Sequence, residues 1–81
     1  MIRLEYSEEQ GCFHFKYNLY EPEIVGWKVI CNEISYIQAL EFATIILNKY
    51  PEMSFENKSN NHAIYPTADI IKHEFVNFPL T

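Results

Sequence analysis

Basic residues, aspartate, glycine and cysteine are all scarce in this chain, and each shortage excludes something. Six Lys+Arg stand against eleven Asp+Glu, a formal net charge of −5. A protein that binds nucleic acid by neutralising phosphates needs the opposite balance. Two cysteines are too few for a disulfide scaffold. Two glycines and four prolines leave no flexible or stiff linker to divide the chain. No apolar run approaches membrane length, and the opening Met1-Ile2-Arg3-Leu4-Glu5-Tyr6 has none of the layout of a signal peptide. The expectation is a soluble, reduced, cytoplasmic protein that touches neither nucleic acid nor membrane.

What is present is apolar and aromatic. Hydrophobic residues make up 48% of the 81 positions and aromatics 16%. That is enough to build one small core without staples, so residues 1–81 read as a single domain. Glu56-Asn57-Lys58-Ser59-Asn60-Asn61 is the one polar low-complexity stretch and reads as a mobile loop.

The first third alternates with period two. Ile2, Leu4 and Tyr6 point one way, and Arg3 and Glu5 the other. After a turn through Gly11, Phe13, Phe15, Tyr17 and Leu19 share one face of a second strand, opposite Cys12, His14, Lys16 and Asn18. Tyr20-Glu21-Pro22-Glu23 turns the chain again. A third strand puts Val25, Trp27, Val29 and Cys31 inward, with Gly26, Lys28, Ile30 and Asn32 outward. Three half-apolar strands predict an antiparallel meander with one wet face.

Ser35-Tyr36-Ile37-Gln38 has the form of a capping box, and Pro51 stops the helix that it opens near Tyr50. Tyr36, Ala39, Leu40, Phe42, Ala43, Ile46, Leu47 and Tyr50 fill an apolar arc of about 160°. Ile37 and Ile45 fall among the polar residues on the opposite side and need another cover. Residues 53–56 predict a short fourth strand and residues 63–65 a fifth. Thr67 then caps a short final helix, with Ile70, Ile71 and Phe75 turned inward. The fold expected is α+β, βββαβ with a C-terminal helix. The fourth strand lies either beside the first, giving order 3-2-1-4, or beside the third.

Gly11 before an aromatic strand, the turn Pro22-Glu23-Ile24-Val25-Gly26 and the capped helix with Gln38-Ala39-Leu40 resemble the HicB antitoxins over residues 1–50. Val25 stands where that family has a second turn proline, and Asn32-Glu33-Ile34-Ser35 precedes the helix. The resemblance implies a partial ribonuclease-H-like sheet and a role as an inhibitor. A working ribonuclease-H site needs several carboxylates holding metal ions. This chain has one aspartate, Asp69, and offers only Glu5 on its first strand.

Candidate catalytic and ligating groups are few. Cys12 and His14, two apart on one strand, are expected to face solvent, whereas Cys31 takes the core side of the third strand. Pairing Phe15 with Trp27 would place Cys31 near Gly11, so the thiols point to opposite faces, against a disulfide or a shared zinc. His62 and His73 lie in the C-terminal part. No metal, cofactor or catalytic group is expected. The same register lines up Glu5, His14 and Lys28 as an exposed polar row, with Arg3 and Lys16 as like-charged neighbours.

Charge placement and surplus apolar residues carry the functional expectation. Glu8, Glu9 and Glu33 should converge where the long helix begins, with Glu21 and Glu23 at the other end of the sheet. Ile24, Ile30, Ile37, Ile45 and the tail Phe78-Pro79-Leu80 exceed what one small core can hold. Of these, Ile37, Ile45, Phe78 and Leu80 suggest an association surface. The reading is a non-catalytic protein-binding module. Its concrete form is a small acidic inhibitor (antitoxin, immunity or phage-encoded type) whose Glu8, Glu9, Glu21, Glu23 and Glu33 meet a basic nucleic-acid-handling partner. The alternatives are a ligand-binding or enzymatic site built across a homodimer, and a structural subunit of a larger assembly.

Overall fold

The computed structural model describes residues 1–55 and 65–79. Its elements are β1 (Ile2–Ser7), β2 (Cys12–Lys16), β3 (Lys28–Ile34), α1 (Tyr36–Lys49), β4 (Ser54–Phe55) and α2 (Ala68–Val76). The class is α+β: a three-stranded antiparallel sheet with two helices.

β1 and β2 form the expected hairpin, with Leu4 opposite Phe15, Glu5 opposite His14 and Arg3 opposite Lys16. Gly11 closes the turn. Its N–H donates to the Ser7 carbonyl at 2.8 Å and its φ is +62°, a left-handed conformation that side chains resist. A Cβ at Gly11 would overlap the ring of Tyr65.

The meander ends there. β3 pairs with β1 and not with β2, placing Leu4 opposite Cys31 and Glu5 opposite Val29. β1 is therefore central, and β4 adds a two-residue parallel pairing at the far side of β2, for an order β3-β1-β2-β4 in place of 3-2-1-4. Because β2 and β3 both run antiparallel to β1, they run parallel to each other. The connection between them, residues 17–27, must return the length of the sheet. It crosses on the face that carries Arg3, Glu5 and His14, which is consequently not wet: every residue of β1 is buried.

β3 also departs from simple alternation. It holds extra residues opposite β1 between Ile2 and Leu4 and again between Leu4 and Glu5, and Glu33 in the first irregularity has φ +55°. Ile30, expected outside, therefore lies in the core, and its neighbour Cys31 packs against the same cluster. Val25, expected inside, belongs to the crossing connection and is 99% exposed.

The helices cover the other face. Ala39, Phe42, Ala43 and Ile46 of α1 and Ala68 and Ile71 of α2 join Ile2, Leu4, Tyr6, Phe13, Phe15, Ile30, Ile34 and Met53 in one core. Ser35 caps α1, its Oγ accepting the Gln38 N–H and donating to the Gln38 Oε1, both at 3.1 Å. Thr67 caps α2 by accepting the Ile70 N–H. Ile71 and Phe75 turn inward as expected, while Ile70 is largely exposed. Phe78 docks edge-on to Phe42, centroids 5.4 Å apart, so the tail folds back on the body at that point. The expected loop 56–61, residues 63 and 64 of the expected fifth strand, His62 and Leu80 lie outside the described residues, and Tyr65 is not in a strand.

Candidate functional site

Two regions bear on function: a cluster of charge beneath the crossing connection, and the outer side of α1.

The cluster centres on Glu5, whose side chain has no exposure at all. Alternation along β1 turns it away from the core, and the crossing connection seals it in. A buried carboxylate costs several kcal/mol unless it is paired, by order of magnitude, and Glu5 is paired twice. Arg3 Nε donates to its Oε2 at 3.0 Å, with Arg3 Nη2 2.8 Å away as an ion-pair contact outside hydrogen-bond geometry. His14 Nε2 lies 2.5 Å from its Oε1. Arg3 Nη1 donates onward to the carbonyls of Glu21 at 2.6 Å and Leu19 at 3.4 Å, which ties the connection down. The Trp27 ring stacks on His14, centroids 3.7 Å apart and planes 17° from parallel. Glu23 Oε1 accepts the Val29 N–H at 2.8 Å, and Lys16 reaches Glu21 at 3.0 Å.

This overturns the exposed row. Glu5 and His14 are opposite one another as expected, but Glu5 is sealed and His14 half-buried, while Lys28 pairs with Tyr6 and stands apart. Arg3 and Lys16 are neighbours as expected, each relieved by its own carboxylate, Glu5 and Glu21. Cys12 is buried rather than solvent-facing, and neither cysteine forms a disulfide. Burial pushes the Cys31 thiol above its ordinary pKa, which makes it a poorer nucleophile. A carboxylate orienting a histidine is half of a base–nucleophile arrangement. Here Trp27 covers a face of that histidine, and the arrangement serves to hold the connection. Among the described residues no group of three or more His, Cys, Asp or Glu could hold a metal ion, and no helix is long and apolar enough to cross a membrane.

The acidic residues do not converge. Because β3 runs antiparallel to β1, Glu33 lies beside the start of β1, at the opposite end from Glu8 and Glu9. Glu8 Oε2 accepts the Ala68 N–H at 2.8 Å and so anchors the start of α2. With Glu21 and Glu23 engaged in the connection, three of the five expected contact carboxylates have internal work. Glu9 and Glu33 are exposed.

The outer side of α1 keeps its apolar residues uncovered. Ile37 is 67% exposed, Ile45 51% and Leu40 40%. Leu40, Glu41, Thr44 and Ile45 line one shallow depression, and Ile45 continues into a groove with Phe42, Glu74, Phe78 and Pro79. Leu40, expected in the inward arc, sits at that arc's edge, where helical periodicity alone does not decide. Lys49 is bound to Glu74, which raises its pKa. Glu33 before the helix, Glu41 on it and Glu52 after it are exposed and have no ion-pair partner among the described residues. Of the residues expected at an association surface, Ile37 and Ile45 are exposed and Phe78 is packed against the body.

No protein-family model matches the chain, and neither a curated protein nor a solved structure matches it.

Proposed function

We propose that the protein is a non-catalytic binding module that docks a basic protein partner on the outer side of α1. The observation that carries this reading is the uncovered stripe of Ile37, Leu40 and Ile45, accompanied by the acids Glu33, Glu41 and Glu52, which have no ion-pair partner among the described residues. Apolar burial would supply affinity, while Glu33, Glu41 and Glu52 would select a basic surface and speed its approach. A second copy of the chain fits less well, because each copy carries −5 and, among the described residues, the one lysine of α1, Lys49, is already paired with Glu74. An inhibitor of antitoxin type acting on a nucleic-acid-handling protein is the concrete form we favour, and the resemblance of residues 1–50 to HicB antitoxins fits it. A reducing, cytoplasmic setting suits two thiols that form no disulfide.

The test is capture from native lysate at low and high salt, run beside the double variant Ile37→Asp/Ile45→Asp. We expect a basic protein that is retained at low salt, shed at high salt and lost on the variant, with the variant's thermal midpoint unchanged. Retention of the same protein by the variant would overturn the reading. So would sedimentation of the parent as a defined oligomer that the variant dissolves, since the occupant would then be a second copy.

A further inference from the structure

The start of β1, the irregular end of β3 and the crossing connection enclose a cleft of about 290 Å³, lined by Arg3, Leu19, Tyr20, Asn32 and Glu33. An arginine in a cleft ordinarily signals an anion site, but the geometry of Arg3 argues otherwise. Its Nε and Nη1 donate to Glu5 and to the Leu19 and Glu21 carbonyls, and Nη2 is buried against Glu5. Its charge is spent on the chain's own carboxylate. What remains for a ligand is the charge of Glu33, the amide of Asn32 and the ring of Tyr20.

Each of these is set out for contact. Glu33, left-handed at the β3 irregularity, is exposed beside the cleft and has no ion-pair partner among the described residues. Tyr20 is 96% exposed and sits in a turn: its N–H donates to Asn18 Oδ1 at 3.0 Å, and Glu21 N–H donates to the Asn18 carbonyl at 3.3 Å. An aromatic wall beside an unpaired carboxylate, with an amide at hand, is the chemistry that takes a planar cation.

We infer that this cleft receives an arginine side chain of the protein partner, its guanidinium against the Tyr20 ring and bonded to Glu33. The inference rests on the binding role proposed above and extends it. Glu33 stands two residues before the Ser35 cap of α1, so the cleft lies toward the end of the docking stripe where Ile37 is.

The probe is N-acetyl-arginine methylamide, followed by NMR through the Asn32 side-chain amide and the backbone amides of residues 19, 20 and 33. Its citrulline counterpart and inorganic phosphate are titrated in parallel. We expect saturable shifts in the millimolar range from the arginine probe alone, weakened about tenfold by Glu33→Gln and about threefold by Tyr20→Ala. Equal shifts from citrulline, or saturation by phosphate in place of the cation, would overturn the inference. So would an arginine response that Glu33→Gln leaves unchanged, or the absence of any saturable shift. Ile37→Asp/Ile45→Asp must leave the probe's binding intact. Failure of the probe with partner capture preserved sinks the cleft alone, whereas probe binding without α1-dependent capture sinks the docking stripe alone.

Discussion

The two faces of the sheet are buried by opposite means. On one, α1 and α2 lay Phe42, Ile46 and Ile71 over Leu4, Tyr6 and Phe13, and the rings of Phe13, Phe75 and Phe78 meet Phe42 within 6.4 Å or less. On the other, an irregular connection lies over Arg3, Glu5 and His14, held by a charged cluster and one ring stack. The first face is stabilised by area removed from water, a contribution that is roughly additive and tolerant of detail. The second depends on complete pairing, because a carboxylate taken out of water is stable there only with its partners in place. Substitutions should therefore behave differently on the two faces, and that difference is measurable.

The largest effects come from breaking each face once. Phe42→Ala should cost about 3–5 kcal/mol, from lost burial and the cavity left among three rings. Glu5→Ala should cost a similar amount, about 3–5 kcal/mol, because it strands the Arg3 guanidinium beneath the connection. The faces part when the partner is removed as well. Arg3→Met/Glu5→Leu should recover part of the loss, since an apolar pair of similar volume replaces the two ions and leaves no charge stranded, while the half-buried His14 and the Leu19 and Glu21 carbonyls turn to water. Urea denaturation midpoints of the three variants provide the check. A double variant as unstable as Glu5→Ala would mean that the cluster is not an exchangeable unit, and the contrast between the faces would fail.

The same contrast governs what could be read from the residues alone. Period two assigned Leu4, Tyr6, Phe13 and Phe15 to one side and Glu5 and His14 to the other, and the hairpin register followed. Ser35 and Thr67 announced both helix caps because a cap is a local bond. Alternation, however, says which residues share a face, not what covers that face. Only the pairing of β3 with β1 sends the connection across Glu5, and that pairing is a long-range choice with no local signature. The irregularities in β3 shift the phase within one strand, which is why Ile30 lies inside, whereas Val25 precedes the strand altogether and lies in the connection. The same pairing puts Glu33 at the opposite end of the sheet from Glu8 and Glu9, so the expected acidic cluster does not form. Of the candidate site, Ile37 and Ile45 were legible because they break the helix's own pattern. Arg3 and Tyr20 were not, since their significance arises from chain crossing.

A pair of glycines sharpens the comparison at intermediate size. Gly11 joins β1 to β2 under Tyr65, and Gly26, at φ +91°, sits in the crossing connection with open space where a Cβ would go. Alanine at either position meets the backbone cost of a left-handed conformation, about 1–2 kcal/mol. Gly11→Ala must in addition push Tyr65 aside, so it should lower the thermal midpoint clearly more than Gly26→Ala. Equal losses would show that the Tyr65 ring is not held against the turn.

The smallest effect is a test of how the helix-covered face closes at its edge. Tyr6 is fully buried, and its hydroxyl donates to the Pro66 carbonyl at 2.7 Å, tying β1 to the residues that lead into α2. Burial, and after it the Glu8 carboxylate, push the Tyr6 pKa well above the ordinary tyrosine value. Below pH about 10 the hydroxyl keeps its proton in both folded and unfolded chains. Above that pH the unfolded chain releases the proton first, so stability is lost as pH rises toward the folded-state pKa. Tyr6→Phe should cost about 1 kcal/mol at neutral pH for the missing hydrogen bond, yet decline less steeply than the parent above pH about 10. Urea midpoints of the two proteins from neutral to alkaline pH should therefore converge. Parallel curves would place the alkaline sensitivity elsewhere, and the hydroxyl's contribution would then be the hydrogen bond alone.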